Sequence, residues 1–241
     1  KNVARTNLDI ADLADDRPAI ERWAAEARSP YHRQLLASLA RNSAGERIRL
    51  PFRRTIQKYA ACLPASLAAA MSAGEMRVSA NEMAADLTAD GTPEWAAADW
   101  LRGRGYHVRF FSASPDIAAR LLRNRIAFTV SWEADEAGHA VAVVGFDARA
   151  ETFLVHDPNF FRSAEYLFAA FDPQPSPLGI RAMAVVRPEQ ATTLDALIPP
   201  ESAVAEAVQE HSKQLMLHGP SAARQVVADL VARFPSHPGS R

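Results

Sequence analysis

The chain has 241 residues, 48% of them apolar and 23% charged, with a formal net charge of −1. That is enough apolar material for one packed core with an appendage, which excludes a chain dominated by disorder, and the near-zero charge argues against a polyanion-binding surface and a nucleic-acid partner. The single cysteine, Cys62, excludes an intrachain disulfide and a thiolate-rich metal site, and no stretch approaches the roughly 18 apolar residues of a membrane span.

From Leu8 to about Ala44 the pattern is helical, with Ile20, Trp23 and Ala24, then Leu35, Leu36 and Leu39, at three- and four-residue spacings. Residues 1–46 are therefore read as a helical extension, and Lys1 to Arg17 carry no apolar signal-peptide core; with one cysteine, the expected compartment is reducing, the cytoplasm. Arg47 to Ile56 reads as extended, because Pro51 bars it from a helix interior. The cluster Arg47, Arg49, Arg53, Arg54 and Lys58 within it is read as a solvated basic face.

Next comes Gln57-Lys-Tyr-Ala-Ala-Cys62-Leu-Pro64, which opens a strongly helix-forming run ending near Gly74, with Pro64 in its first turn. A thiol at a helix N-terminus faces unsatisfied backbone N–H groups, which favour its ionised form. Three more helix starts are signalled by Ser79 with Glu82 as a capping box, by Thr92-Pro93 and by Ser114-Pro115.

Apolar or alternating runs follow at Tyr106 to Phe111, Ile126 to Trp132, His139 to Phe146, Thr152 to His156 and Ile180 to Val186. Helices come first and strands cluster later, without sustained βαβ alternation, so the expected class is α+β with a mostly antiparallel sheet. Residues 47–190 are expected to form this domain. After Pro199-Pro200, Glu201 to Leu217 and Ser221 to Phe234 read as two helices turned by Gly219-Pro220. Residues 191–241 are thus a helical hairpin, and the Ala223 to Pro235 interval is similar to the second helix of a tetratricopeptide repeat, although His211 stands where that repeat usually has glycine.

A thiol nucleophile needs a base within reach, and the base needs a third group to orient it. Gly138-His139 heads one strand-like run, and Asp157-Pro158 follows the next. If these are adjacent antiparallel strands, the start of the first lies beside the end of the second, and His139 and Asp157 become neighbours.

Gln57-x4-Cys62, then Gly138-His139, then Asp157-Pro158, resembles the C39-like cysteine peptidases of the papain-like superfamily over roughly residues 48–187. The resemblance implies a papain-like α+β fold and a Cys–His–Asp triad. In that family the cysteine attacks a peptide carbonyl, the histidine exchanges the proton, the aspartate orients it, and the glutamine donates to the oxyanion. These roles fall on Cys62, His139, Asp157 and Gln57, with a peptide or protein as substrate and no cofactor or metal. Many family members have glycine directly after the cysteine; here Leu63 stands there, and its side chain is expected to narrow the groove or shift the loop. No transmembrane or nucleotide-binding segment accompanies the motif, and the resemblance does not account for the terminal helices, which are open to a protein partner.

The same residues allow other readings. The same triad serves an acyl-transfer enzyme if an amine replaces water, and a fold that has lost turnover serves as a peptide-binding module. His156 is expected to face away from Asp157 and take no catalytic part, His107 is expected to be structural, and a metal site from His139, His156 and Asp157 is disfavoured because consecutive strand residues diverge.

Overall fold

Alternation along short apolar segments builds one antiparallel sheet against which the helices pack. The computed structural model describes residues 11, 16–27, 29–42, 44–134, 137–161, 163–168 and 179–235; the expected helical start at Leu8 lies outside them. Among these residues the strands are β1 Arg47–Arg49, β2 His107–Ala113, β3 Phe128–Ala134, β4 Ala137–Asp147, β5 Thr152–His156, β6 Ala164–Leu167 and β7 Ile180–Val186. The order is β2-β7-β3-β4-β5-β6, with β1 added on β4.

The register around β4 is what positions the site. β3 pairs with residues 137–143 of β4, β1 with residues 145–147, and β5 with the opposite edge only from Ala142 onward. β1 and β3 therefore lie end to end on one edge, and the other edge is left without a strand partner at His139 and Ala140. Gly145 makes the β1 contact possible, since a Cβ there would stand 2.3 Å from the Ile48 carbonyl oxygen.

The helices are α1 Arg17–Ala27, α2 Pro30–Arg41, α3 Cys62–Ala73, α4 Ala80–Leu87, α5 Glu94–Arg102, α6 Pro115–Arg123, α7 Ala191–Leu197, α8 Ala203–His218 and α9 Pro220–Arg233. Alanine-rich α3 buries ten of its twelve residues, as expected of a helix apolar on all sides, and its small side chains let it lie close to β3 and β4. β7 shows how the sheet is covered on both faces. Met183 and Val185 join α3, α4 and α5 in one cluster, while Ala182, Ala184 and Val186 join α6 and α7 in the other.

Ser29, Ser79 and Ser114 cap α2, α4 and α6 through their side chains. Two expected start signals differ. Glu82 does not close a capping box: its carboxylate turns to Arg104 at 3.0 Å, a charge-assisted bond that competes with the Ser79 amide. Thr92 does not cap α5, whose N-cap is Pro93 with no side-chain bond; Thr92 pairs instead with the Thr88 hydroxyl. The expected solvated basic face also divides. Arg47 bonds Asp147 at 3.2 Å and Glu165 at 3.2 Å with only 13% of its side chain exposed, and Arg49 bonds Glu165 at 2.9 Å, whereas Arg53, Arg54 and Lys58 are exposed.

At the N-terminal side, α1 and α2 enclose Ile20, Ala24, Leu35 and Leu39 together with Ala150 of the β4–β5 turn. Glu151 of that turn accepts from Ser38 Oγ at 2.9 Å, Arg41 at 2.8 Å and Asn42 Nδ2 at 3.2 Å. At the other end α8 lies on β2, where Glu206 accepts the Phe110 N–H at 2.8 Å, and α9 returns along α8 after Gly219, whose φ of 80° suits glycine.

Candidate active site

Cys62 is the first residue of α3, after Ala61, which offers no side-chain cap. The first-turn amides are therefore not consumed by a cap, and the Leu63 N–H bonds the sulfur. The approach to the helix is bent: Ala60 holds a φ of 52°, in the left-handed region that costs a residue with a Cβ on the order of 1 kcal/mol.

β4 brings the second group. His139 Nε2 lies 3.0 Å from Asp157 Oδ1, just past the point where β5 leaves β4. With Nε2 engaged by the carboxylate, Nδ1 is the ring nitrogen left for the hydrogen bond that joins His139 to the Cys62 thiol. The Asp157 carboxylate is itself oriented by its turn, accepting the Asn159 N–H at Oδ1 over 2.9 Å. The Asn159 side-chain amide stands 3.5 Å from His139 Nε2.

The third contribution comes from the open edge of β4. Ala140, lacking a β5 partner, gives its N–H to the Cys62 sulfur and its carbonyl to Ser66 Oγ at 2.9 Å. The first two turns of α3 thus replace the missing strand. Ser66, wholly buried, escapes sequence reasoning because a serine inside an alanine-rich helix carries no motif.

The electrostatics follow from these contacts. Burial pushes the Cys62 thiol up, but the hydrogen bonds from His139 and the Ala140 and Leu63 amides, with the His139 charge, outweigh it and hold the thiol below its ordinary value. His139 is moved the other way: the Cys62 hydrogen bond and the charge and hydrogen bond of Asp157 raise it, against burial. Both shifts favour a thiolate beside an imidazolium.

Gln57 is tied in through its backbone, whose N–H bonds the Pro158 carbonyl at 3.0 Å, next to Asp157. Its Oε1 is buried without a hydrogen-bond partner among the described residues. His156 is fully buried and points away from the site. Its ring packs on Phe52 at 5.2 Å, and Nε2, in the tautomer that carries its proton there, donates to the Thr55 carbonyl at 3.0 Å, which fastens the segment leading to Gln57. His107 pairs with Asp195 at 3.0 Å, on the β2 side of the sheet. Leu63 corrects an expectation: only 3% exposed, it packs with Leu67 and Met71 in the core and so does not narrow a groove.

The Peptidase_C39 like family matches residues 48–172, just over half of the chain. Comparison with curated proteins finds no match. Among solved structures, the chain is similar to the peptidase domain of Streptococcus ComA, a bi-functional ABC transporter involved in a quorum-sensing pathway. That likeness has 14% identity and a TM-score of 0.46, covering 57% of this chain and 99% of that one. The matched segment contains Gln57, Cys62, His139 and Asp157 within an antiparallel α+β architecture of the papain-like kind, and the chain belongs to the Peptidase_C39 like family.

Proposed function

We propose that the protein is a cysteine peptidase in which Cys62 is the nucleophile, His139 the acid and base, Asp157 the group that orients His139, and Gln57 an oxyanion donor. The observation that carries this reading is the hydrogen-bonded line Cys62–His139–Asp157, with the thiol lowered and the imidazole raised by their contact. A depressed thiol beside a raised imidazole is the pairing that nucleophilic catalysis at neutral pH requires.

In the first step the Cys62 thiolate forms a bond to the substrate carbonyl carbon, and the carbonyl electron pair moves to oxygen. The Cys62 N–H and the Gln57 side-chain N–H are the donors for that oxyanion. Collapse expels the amine, which takes the proton carried by His139, and leaves a thioester on Cys62. His139 then removes a proton from water as the water attacks the thioester, releasing the acid and restoring the thiolate–imidazolium pair.

The test is digestion of a complex peptide mixture by the parent chain and by Cys62→Ala, read by mass spectrometry. New peptide termini with the parent alone support the reading, and adding hydroxylamine converts part of the acid product to a hydroxamate if a thioester forms. Identical peptide patterns for both chains would remove the peptidase assignment.

A further inference from the structure

Two segments that converge on the site expose an unusual combination of side chains. Burial alternates along residues 54–58: Thr55 and Gln57 are half-buried, their backbone N–H groups directed at His156 and the Pro158 carbonyl, while Arg54, Ile56 and Lys58 are exposed. Tyr59, just before the turn into Cys62, is 85% exposed, and Phe160 and Phe161, just after Asp157, are 60% and 69% exposed. Arg54 lies over the Phe161 ring at 5.6 Å, so the two segments form one surface. Neither Arg54 nor Lys58 forms an ion pair among the described residues, unlike the neighbouring Arg47 and Arg49.

Such a surface is costly to leave open unless something covers it, because clustered aromatic side chains lose favourable burial in water. Its charge says what covers it. The exposed residues of 53–61 and 158–161 include cations and no carboxylate, and Asp157, between the two segments and His139, is buried and directed at His139. In an extended segment, alternate side chains stand about 7 Å apart on one face. The order cation, apolar, cation at Arg54, Ile56 and Lys58 therefore complements an extended peptide with carboxylates two residues to either side of an apolar side chain.

We propose that this strip is the substrate-docking surface and that it selects acidic peptides with the spacing acid-x-apolar-x-acid. The inference rests on the peptidase reading only in calling the bound peptide a substrate; the docking itself needs no turnover. Two exposed charge pairs of the usual strength make the preference about three- to tenfold over a peptide with lysines in place of the acids. The aromatic residues contribute to both peptides alike.

The experiment uses the full chain carrying Cys62→Ala, so that nothing is cleaved, and two fluorescein-labelled peptides that differ only in Glu or Lys at the two flanking positions. Fluorescence anisotropy should show the Glu peptide binding more tightly. Arg54→Gln/Lys58→Gln should abolish the preference, Arg54→Glu/Lys58→Glu should reverse it, and added salt should weaken it. Equal affinity for the two peptides, no binding of either at millimolar concentration, or a preference that survives both double substitutions would overturn the proposal. Iodoacetamide labelling of Cys62 in the Arg54→Gln/Lys58→Gln chain keeps its parent rate if the fold is intact, which separates loss of docking from loss of the site.

Discussion

Ser66 Oγ donates a 2.9 Å hydrogen bond to the Ala140 carbonyl, tying the second turn of α3 to the β4 residue next to His139. Ala140 also gives its own N–H, from the preceding peptide unit, to Cys62, so one serine helps set the distance between the cysteine helix and the histidine strand. Ser66→Ala leaves a buried carbonyl unpaired and should cost about 1–2 kcal/mol in urea unfolding. It should also raise the Cys62 pKa, because the Ala140 amide is then held less firmly. A loss of stability with no change in the pH dependence of Cys62 alkylation would show that Ser66 acts on packing alone.

His139 owes its raised pKa first to Cys62, and then to Asp157 against the opposing effect of burial. Cys62→Ala should therefore lower the His139 pKa, read from its imidazole proton shifts by NMR. The linkage has a definite sign: a histidine raised in the folded state stabilises fully below its unfolded value of about 6.5, and that contribution is lost as pH rises through the folded value. An unchanged His139 titration in Cys62→Ala would contradict the contact.

His156 is expected to behave oppositely. Burial holds it below its ordinary value, although the Thr55 hydrogen bond pulls the other way. A depressed histidine contributes stability fully above about pH 6.5, and that contribution is lost as pH falls through the folded value. His156→Phe should cost about 1 kcal/mol at neutral pH through the lost Thr55 bond, yet flatten the acid loss of stability. Unfolding midpoints measured across the acid range decide this, and a slope equal to the parent's would be the adverse result.

Glu151 holds α2 to the β4–β5 turn through three donors, Ser38, Arg41 and Asn42. Glu151→Ala should loosen α1 and α2 while leaving the site intact, at a cost of about 1 kcal/mol after allowing for the partial exposure of the pair. Hydrogen exchange should accelerate in residues 17–41 and the alkylation rate of Cys62 should stay at the parent value. Exchange unchanged in both helices would mean that the apolar cluster around Ala150 carries the docking without Glu151.

Much of this was legible in the residues because the decisive contacts are local to one hairpin. β4 and β5 follow each other with a short turn, so the start of one must end near the end of the other, and His139 and Asp157 meet for that reason. Cys62 at the first position of α3 was readable from the alanine-rich run behind it. Ser66 was not, since its partner is 74 residues away and is a backbone carbonyl that becomes available only because β5 stops at Ala142. β6 and α7 give no clear sequence signal for a different reason. Residues 164–167 and 191–197 are too short to establish a period, and α7 buries only Leu194. Glu82 and Thr92 misled because a local capping pattern yields to a better partner elsewhere, Arg104 in one case and Thr88 in the other.

Whether Cys62 and His139 form an activated pair is read from the rate of Cys62 alkylation by iodoacetamide as a function of pH, followed by intact mass in the parent and in His139→Ala. The parent should label well below the ordinary thiol pKa of about 8.5, and the His139→Ala midpoint should move up towards that value. A parent profile that follows an ordinary thiol titration, unchanged by removing His139, would mean that the two side chains are not a coupled pair.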